Sequence, residues 1–332
     1  MAALSPAQIV AVIEDAFTEA GASAALVSEK RMHPRRFYVV AGEMSFPVWI
    51  YIWTLTHGGG AARPRDEYRI QLTSVTPPLP QNPDGPTLLL GYDPGTKCFA
   101  GFDLCKHREF SPGSPSIQIN INALRNAVRD GFVFVRKGND EIAIGFRPDN
   151  ILSYSLNVEA LHESGADAQV SEMLSKVTRF EAVTDEEIAT IPEERRRVVA
   201  KVSRLARDSD FRRKVTVAYD RKCAVTGLQL RLVEAAHILP VGADGSTDEV
   251  TNGICLSPTY HRAYDRGLIY LTESRQMLIN AGKKRDLIRI GLGGGLPEFE
   301  AHLNREIFLP PDRRQWPSVE FIRKANIFRE AG

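Results

Sequence analysis

The chain has no CxxC pair. Its four cysteines, Cys98, Cys105, Cys223 and Cys255, are scattered over 332 residues, which argues against a disulfide scaffold and a four-cysteine zinc site. A structural zinc on Cys223 and Cys255 would lack CxxC partners, so both are read as small buried apolar side chains. No apolar run approaches the roughly twenty residues that span a bilayer. The opening MAALSPAQIVAVIEDAF has no basic segment and carries acids, so it predicts no secretion signal and a cytoplasmic protein. Net charge is nearly absent as well: 42 Lys and Arg against 41 Asp and Glu give +1, a total that by itself implies no polyanion partner. No internal repeat or low-complexity tract occurs.

What is present points to two folded domains, given the length and a 43% hydrophobic content. Ser5-Pro6-Ala7-Gln8 reads as a capped helix start, with apolar residues following at helical spacing. Short β-branched and aromatic runs come next (RFYVVAG, PVWIYIWTL, EYRIQLTSV, TLLLGY, SIQINI), broken by Gly, Pro, Asn and Asp. INALRNAVRDG predicts a short helix, FVFVRKGNDEIAIGF a hairpin and RPDNILSYSLNVEALH a helix. The pattern then weakens, predicting a strand-rich domain over 1–163, a linker over 164–190 and a second domain over 191–332. The second domain starts with a long basic helix and ends in short apolar pieces, EIFLP and VEFIRKANIF, that should dock back on it. The fold class expected is α+β.

Glu234 to Asp265, EAAHILPVGADGSTDEVTNGICLSPTYHRAYD, carries the chemistry. Leu232 to Ile238 suits a buried strand with His237 near its end. Residues 240–249 are too polar and glycine-rich for regular structure. Asn252-Gly253 closes that loop, 254–256 make a return strand, and Ser257-Pro258 caps a helix that carries His261 one turn in. The unit thus presents His237, Asn252 and His261 toward one region. Such a set suits metal-assisted phosphodiester cleavage: a divalent ion stabilises charge on the phosphate, and a neutral imidazole takes the proton of the attacking water. Asn252 would orient an imidazole or supply an oxygen ligand.

AAHILP, TNGICLSPTYH and AYDRGL, preceded by CAVTG, resemble the HNH (ββα-metal) endonucleases, in their restriction endonuclease branch. The resemblance covers about residues 211–280 and, more weakly, the tail. It implies a ββα-metal nuclease domain using Mg2+ or Mn2+ and leaving 5′-phosphate and 3′-hydroxyl ends. His237 falls on the general-base position, Asn252 on the middle asparagine and His261 on the metal-ligand position, with Asp265 one turn later as a ligand or its partner. Where many family members carry an aspartate ligand just before the base, this chain has Ala236. Glu234, on the same side of the strand, is the candidate substitute.

Three basic stretches, Lys30 to Arg36, Arg63 to Arg69 and Arg195 to Lys222, qualify the small net charge. Arg195, Arg196, Lys201, Arg204, Arg212, Arg213 and Lys214 precede the nuclease unit and are read as clamps on the DNA backbone rather than a merely solvated helix face. Arg63, Arg65 and Arg69 follow a glycine-rich loop, in the domain expected to choose the target. Trp49, Tyr51 and Trp53 share one face of a strand. A stacking surface for a flipped base is one reading, but a strand buried on both faces is preferred. Double-stranded DNA, with a modified base as the favoured trigger, is the expected partner, and cutting two strands implies a homodimer. The alternatives are a restriction enzyme for unmodified DNA and an inactive HNH unit that only binds DNA. An RNA nuclease finds no RNA-binding motif in its support.

Overall fold

The computed structural model describes residues 3–58, 64–111 and 115–331. It divides into two compact units, Met1–Ser209 and Asp210–Gly332. In the first unit the strands are β1 (Ser23–Leu26), β2 (Arg35–Ala41), β3 (Met44–Thr54), β4 (Thr56–His57), β5 (Glu67–Gln71), β6 (Thr87–Asp93), β7 (Cys98–Phe102), β8 (Ser116–Asn120), β9 (Val133–Arg136) and β10 (Ile142–Phe146). Its helices are α1 (Pro6–Glu19), α2 (Leu104–His107), α3 (Ile121–Asp130), α4 (Ile151–Leu156), α5 (Val158–Ser164), α6 (Ala168–Thr178) and α7 (Asp185–Ala189). The division between units falls inside α8 (Glu193–Ala218).

Among the described residues, the first unit is built on a seven-stranded sheet in the order β1-β2-β3-β6-β7-β10-β9, with β4-β5-β8 as a second sheet. The β3–β6 pair is parallel; β2–β3 and β6–β7 are antiparallel. Alternation on β3 explains the layering. Val48, Ile50 and Ile52 enter one apolar core with α1, whereas Tyr51 enters another with Ile70, Leu89 and Ile117. The strand is therefore buried on both faces, as preferred from its sequence. Arg36 lies 4.4 Å over Trp49, and His33 stacks on Trp53 at 4.4 Å.

The segment expected as a linker holds α6 and α7 instead. Val170, Met173, Leu174 and Val177 recur at i, i+3, i+4 and i+7 and are buried in the first core. Asp167 caps α6 through the Gln169 and Val170 amides. The apolar stripe, short as it is, draws these residues onto the sheet, and the core continues into α8 through Val199, Val202 and Ala206.

The second unit contains β11 (Glu234–His237), β12 (Gly253–Leu256), α9 (Pro258–Asp265), β13 (Ile269–Leu271), β14 (Gln276–Ile279), α10 (Ala281–Arg289), α11 (Leu296–Glu300), β15 (Arg305–Glu306) and α12 (Val319–Phe328). β11 and β12 form an antiparallel hairpin with His237 opposite Gly253, and α9 packs against it through Tyr260, Ala263 and Tyr264. The tail docks on this unit: β15 pairs with β14, and Ile322 and Ala325 of α12 are buried in its core. Cys223 and Cys255 lie in the same core, where burial pushes the Cys255 thiol up to about 12. Among the described residues no helix is long and apolar enough to cross a membrane.

Candidate active site

The hairpin and α9 give the site its frame. Pro258 at the start of α9 suits a first turn whose amides need no helical partner, and His261 follows three residues on. Gly253 is required at the start of β12 because α8 packs directly on it: a Cβ there would overlap Val215 and press on Phe211. That close approach lays the Phe211 ring on the His237 ring, with centroids 3.6 Å apart and planes 10° from parallel. The strand end is also fixed from the other side of the chain. Arg329 donates to the carbonyls of Ile238 and His237, and its guanidinium lies 4.3 Å over the Tyr264 ring.

His261 sits between two carboxylates. Its Nδ1 is 2.7 Å from Glu234 Oε2, and its Nε2 is 3.3 Å from Asp265 Oδ2. The hydrogen bond from His261 holds the Glu234 carboxyl below the usual range, and Arg212 and Arg262 add their attraction against the opposing effect of partial burial. In a neutral ring that donates Nδ1–H to Glu234, Nε2 and Asp265 Oδ2 are both acceptors, so a proton or a cation must reconcile them. Two ligands of one divalent ion, each at about 2.1 Å, lie about 3 Å apart at a cis angle. The pair therefore fits a divalent cation, with Glu234 as the carboxylate that orients a ligating histidine. Glu234, suggested by the sequence as a ligand, here faces the His261 ring. Among the described residues no three His, Cys, Asp or Glu side chains form a ready cage, so the centre would depend on water and phosphate oxygens, as Mg2+ sites commonly do.

His237 and Asn252 occupy different settings. His237 Nε2 is 3.0 Å from Asp248 Oδ1. Asn252 is fully buried. Its Oδ1 accepts from the Leu239 amide at 2.8 Å, and its Nδ2 donates toward Leu239 O (3.2 Å), Ser246 Oγ (3.2 Å) and Thr247 O (2.9 Å). The oxygen-ligand role expected of Asn252 does not fit a buried amide whose atoms are all engaged in its own loop. Its place is that of a clamp on residues 239–247. Asn252→Ala is accordingly expected to lower the stability of the second unit by about 1–3 kcal/mol, because the buried Leu239 amide loses its acceptor. Thermal unfolding of the full chain reads this out. An unchanged midpoint with lost activity would instead put Asn252 in the chemistry.

A family model described as HNH endonuclease matches residues 223–272. The C-terminal unit carries an HNH endonuclease domain. A second model, described as Methylase-associated X1, matches residues 46–155 in the first unit. Among solved structures, a modification-dependent TagI restriction endonuclease is 14% identical, with a TM-score of 0.28 over 83% of this chain and 80% of that one. That likeness is too slight to bear on fold or function. A search of curated proteins gives no match.

The basic residues singled out in the sequence are unevenly engaged. Arg212 is half-buried and is drawn to Glu234. Arg213 and Lys214 both pair with Asp210, at 2.8 and 2.5 Å. In the first unit Arg195 pairs with Asp167 at 2.8 Å, Arg196 caps the carbonyls of Ile191 and Ala189, and Lys201 reaches Leu156 O at 3.4 Å. Arg204 and Arg65 are exposed, Arg69 donates to Gly58 O at 3.5 Å, and Arg63 lies outside the described residues. Sequence reasoning missed Phe211, Asp248 and Arg262. Arg262, exposed and adjacent to His261 on α9, carried the plainest signal.

Proposed function

We propose that this protein is a restriction-type DNA endonuclease, its HNH domain dependent on Mg2+ or Mn2+ and its target chosen by the N-terminal unit. The observation that carries this reading is the His261 ring, held by Glu234 on one nitrogen and lying 3.3 Å from Asp265 on the other. His261 and Asp265 would hold the ion. When bound, it supplies charge stabilisation at the scissile phosphate and the leaving 3′ oxygen. His237, outside that ligand pair, takes the proton from the attacking water, since an imidazole is balanced between its forms near neutral pH. Arg212 and Arg262, beside Glu234, supply positive charge to the DNA backbone. Products carry 5′-phosphate and 3′-hydroxyl ends.

The first unit, Met1–Ser209, is assigned to target choice, and a base modification is the favoured trigger. The methylase-associated description of residues 46–155 ties this unit to base modification. Double cleavage by a single active site per chain requires a homodimer, and the protein acts in the cytoplasm. Digestion of matched plasmids, unmodified or carrying 5-methylcytosine, 5-hydroxymethylcytosine or N6-methyladenine, tests the trigger. Cutting confined to one modified plasmid is expected, and equal cutting of all at one sequence would defeat modification dependence. A DNA-binding HNH unit without activity is the second reading. It is favoured by Ala236, buried at 1% exposure in the position of the family's aspartate ligand.

A further inference from the structure

We propose that Asp248 is the positioning residue of the general base, fixing the tautomer of His237 from the loop between β11 and β12. The inference rests on the nuclease reading and assigns a role to a residue outside the His-Asn-His set.

A carboxylate can only accept, so the 3.0 Å contact between His237 Nε2 and Asp248 Oδ1 places the ring proton on Nε2. The Nδ1 lone pair is then the basic atom. Phe211 stacked on one face of the ring fixes its plane, and Arg329 holds the backbone carbonyls of His237 and Ile238. Asp248 in turn is placed by the loop that Asn252 clamps. The amide of Asn252 donates to Thr247 O at 2.9 Å, immediately before Asp248, and to Ser246 Oγ at 3.2 Å. The buried asparagine therefore acts on the base at one remove, through the loop and its carboxylate.

Stability does not account for the pair. Asp248 has 46% of its side chain exposed, and a contact whose carboxylate is so open to solvent adds little to folding. Orientation of an imidazole does not need burial: one carboxylate accepting one N–H selects the tautomer, as in other sites where a histidine's second nitrogen is bonded to an acceptor.

The test uses the full chain with Asp248→Ala, Asp248→Glu and His237→Ala. In Mn2+, Asp248→Ala is expected to lower the single-turnover rate of plasmid nicking by about 10–100-fold with DNA affinity unchanged, and Asp248→Glu to recover part of that rate. Nitrogen-15 NMR of the histidine rings should show His237 protonated at Nε2 in the parent protein and a mixture of tautomers in Asp248→Ala. A parent-like rate in Asp248→Ala, a loss confined to DNA affinity, or an Nδ1-protonated ring in the parent would each overturn the proposal. If His237→Ala still nicks DNA while the parent ring is Nε2-protonated, it is the assignment of His237 as base that fails, and the two failures are thereby told apart.

Discussion

His237→Ala is expected to lower the rate of DNA nicking by about 10²–10⁴-fold, the range over which a positioned general base acts. DNA affinity should remain at the parent level, because the ring is stacked on Phe211 and bonded to Asp248 rather than extended from the surface. The imidazole is only 16% exposed and is stacked on Phe211, so its removal also costs packing, and the unfolding midpoint is measured beside the rate to separate loss of chemistry from loss of fold. Single-turnover assays at saturating protein separate the chemical step from binding. A rate within a few-fold of the parent would remove His237 from the reaction.

His261→Ala carries the second large effect. It deletes the nitrogen that faces Asp265 and leaves Glu234 without its donor. Nicking should fall by more than about 100-fold, and Mn2+ affinity in the absence of DNA should fall with it. Glu234→Gln, which keeps the shape and removes the charge, is expected to cost about 10–100-fold in Mn2+ affinity, the size of effect seen when a carboxylate behind a ligating histidine is lost. Titration calorimetry with Mn2+ measures both. Unchanged Mn2+ affinity in His261→Ala would show that the ion binds elsewhere.

The strand–loop–strand–helix of the HNH domain is legible in the sequence because its punctuation is local. Ser257-Pro258 starts α9, Asn252-Gly253 ends the loop, and the apolar residues of β11 and β12 lie between clear breakers. Asp248 is not legible. The loop offers Asp244, Asp248 and Glu249 on equal terms, and only the bonds from Asn252 to residues 239, 246 and 247 decide which of them meets His237. The same buried bonds withdraw Asn252 from the ligand set suggested by its place in the motif.

In the first unit, β2 and β8 announce themselves by alternation, but the parallel pairing of β3 with β6 joins segments separated by more than thirty residues and leaves no local trace. β7, CFAGF, is buried throughout, so it lacks the alternation that would mark it. The helix α6 had its signal, four apolar residues at helical spacing, obscured by the polar residues between them. The basic run on α8 shows a related limit. Counting Arg213 and Lys214 as clamps overlooks Asp210, one turn earlier, which engages both.

Incubation of supercoiled plasmid with the intact protein in Mg2+ or Mn2+, against the same mixture in EDTA, tests the central claim most directly, with a panel of modified plasmids supplying the target. The account predicts conversion to nicked and linear DNA only with the divalent ion, the products bearing 5′-phosphates that a ligase can reseal. DNA that is bound, as a salt-sensitive gel shift shows, but stays supercoiled on every plasmid with every ion would contradict it.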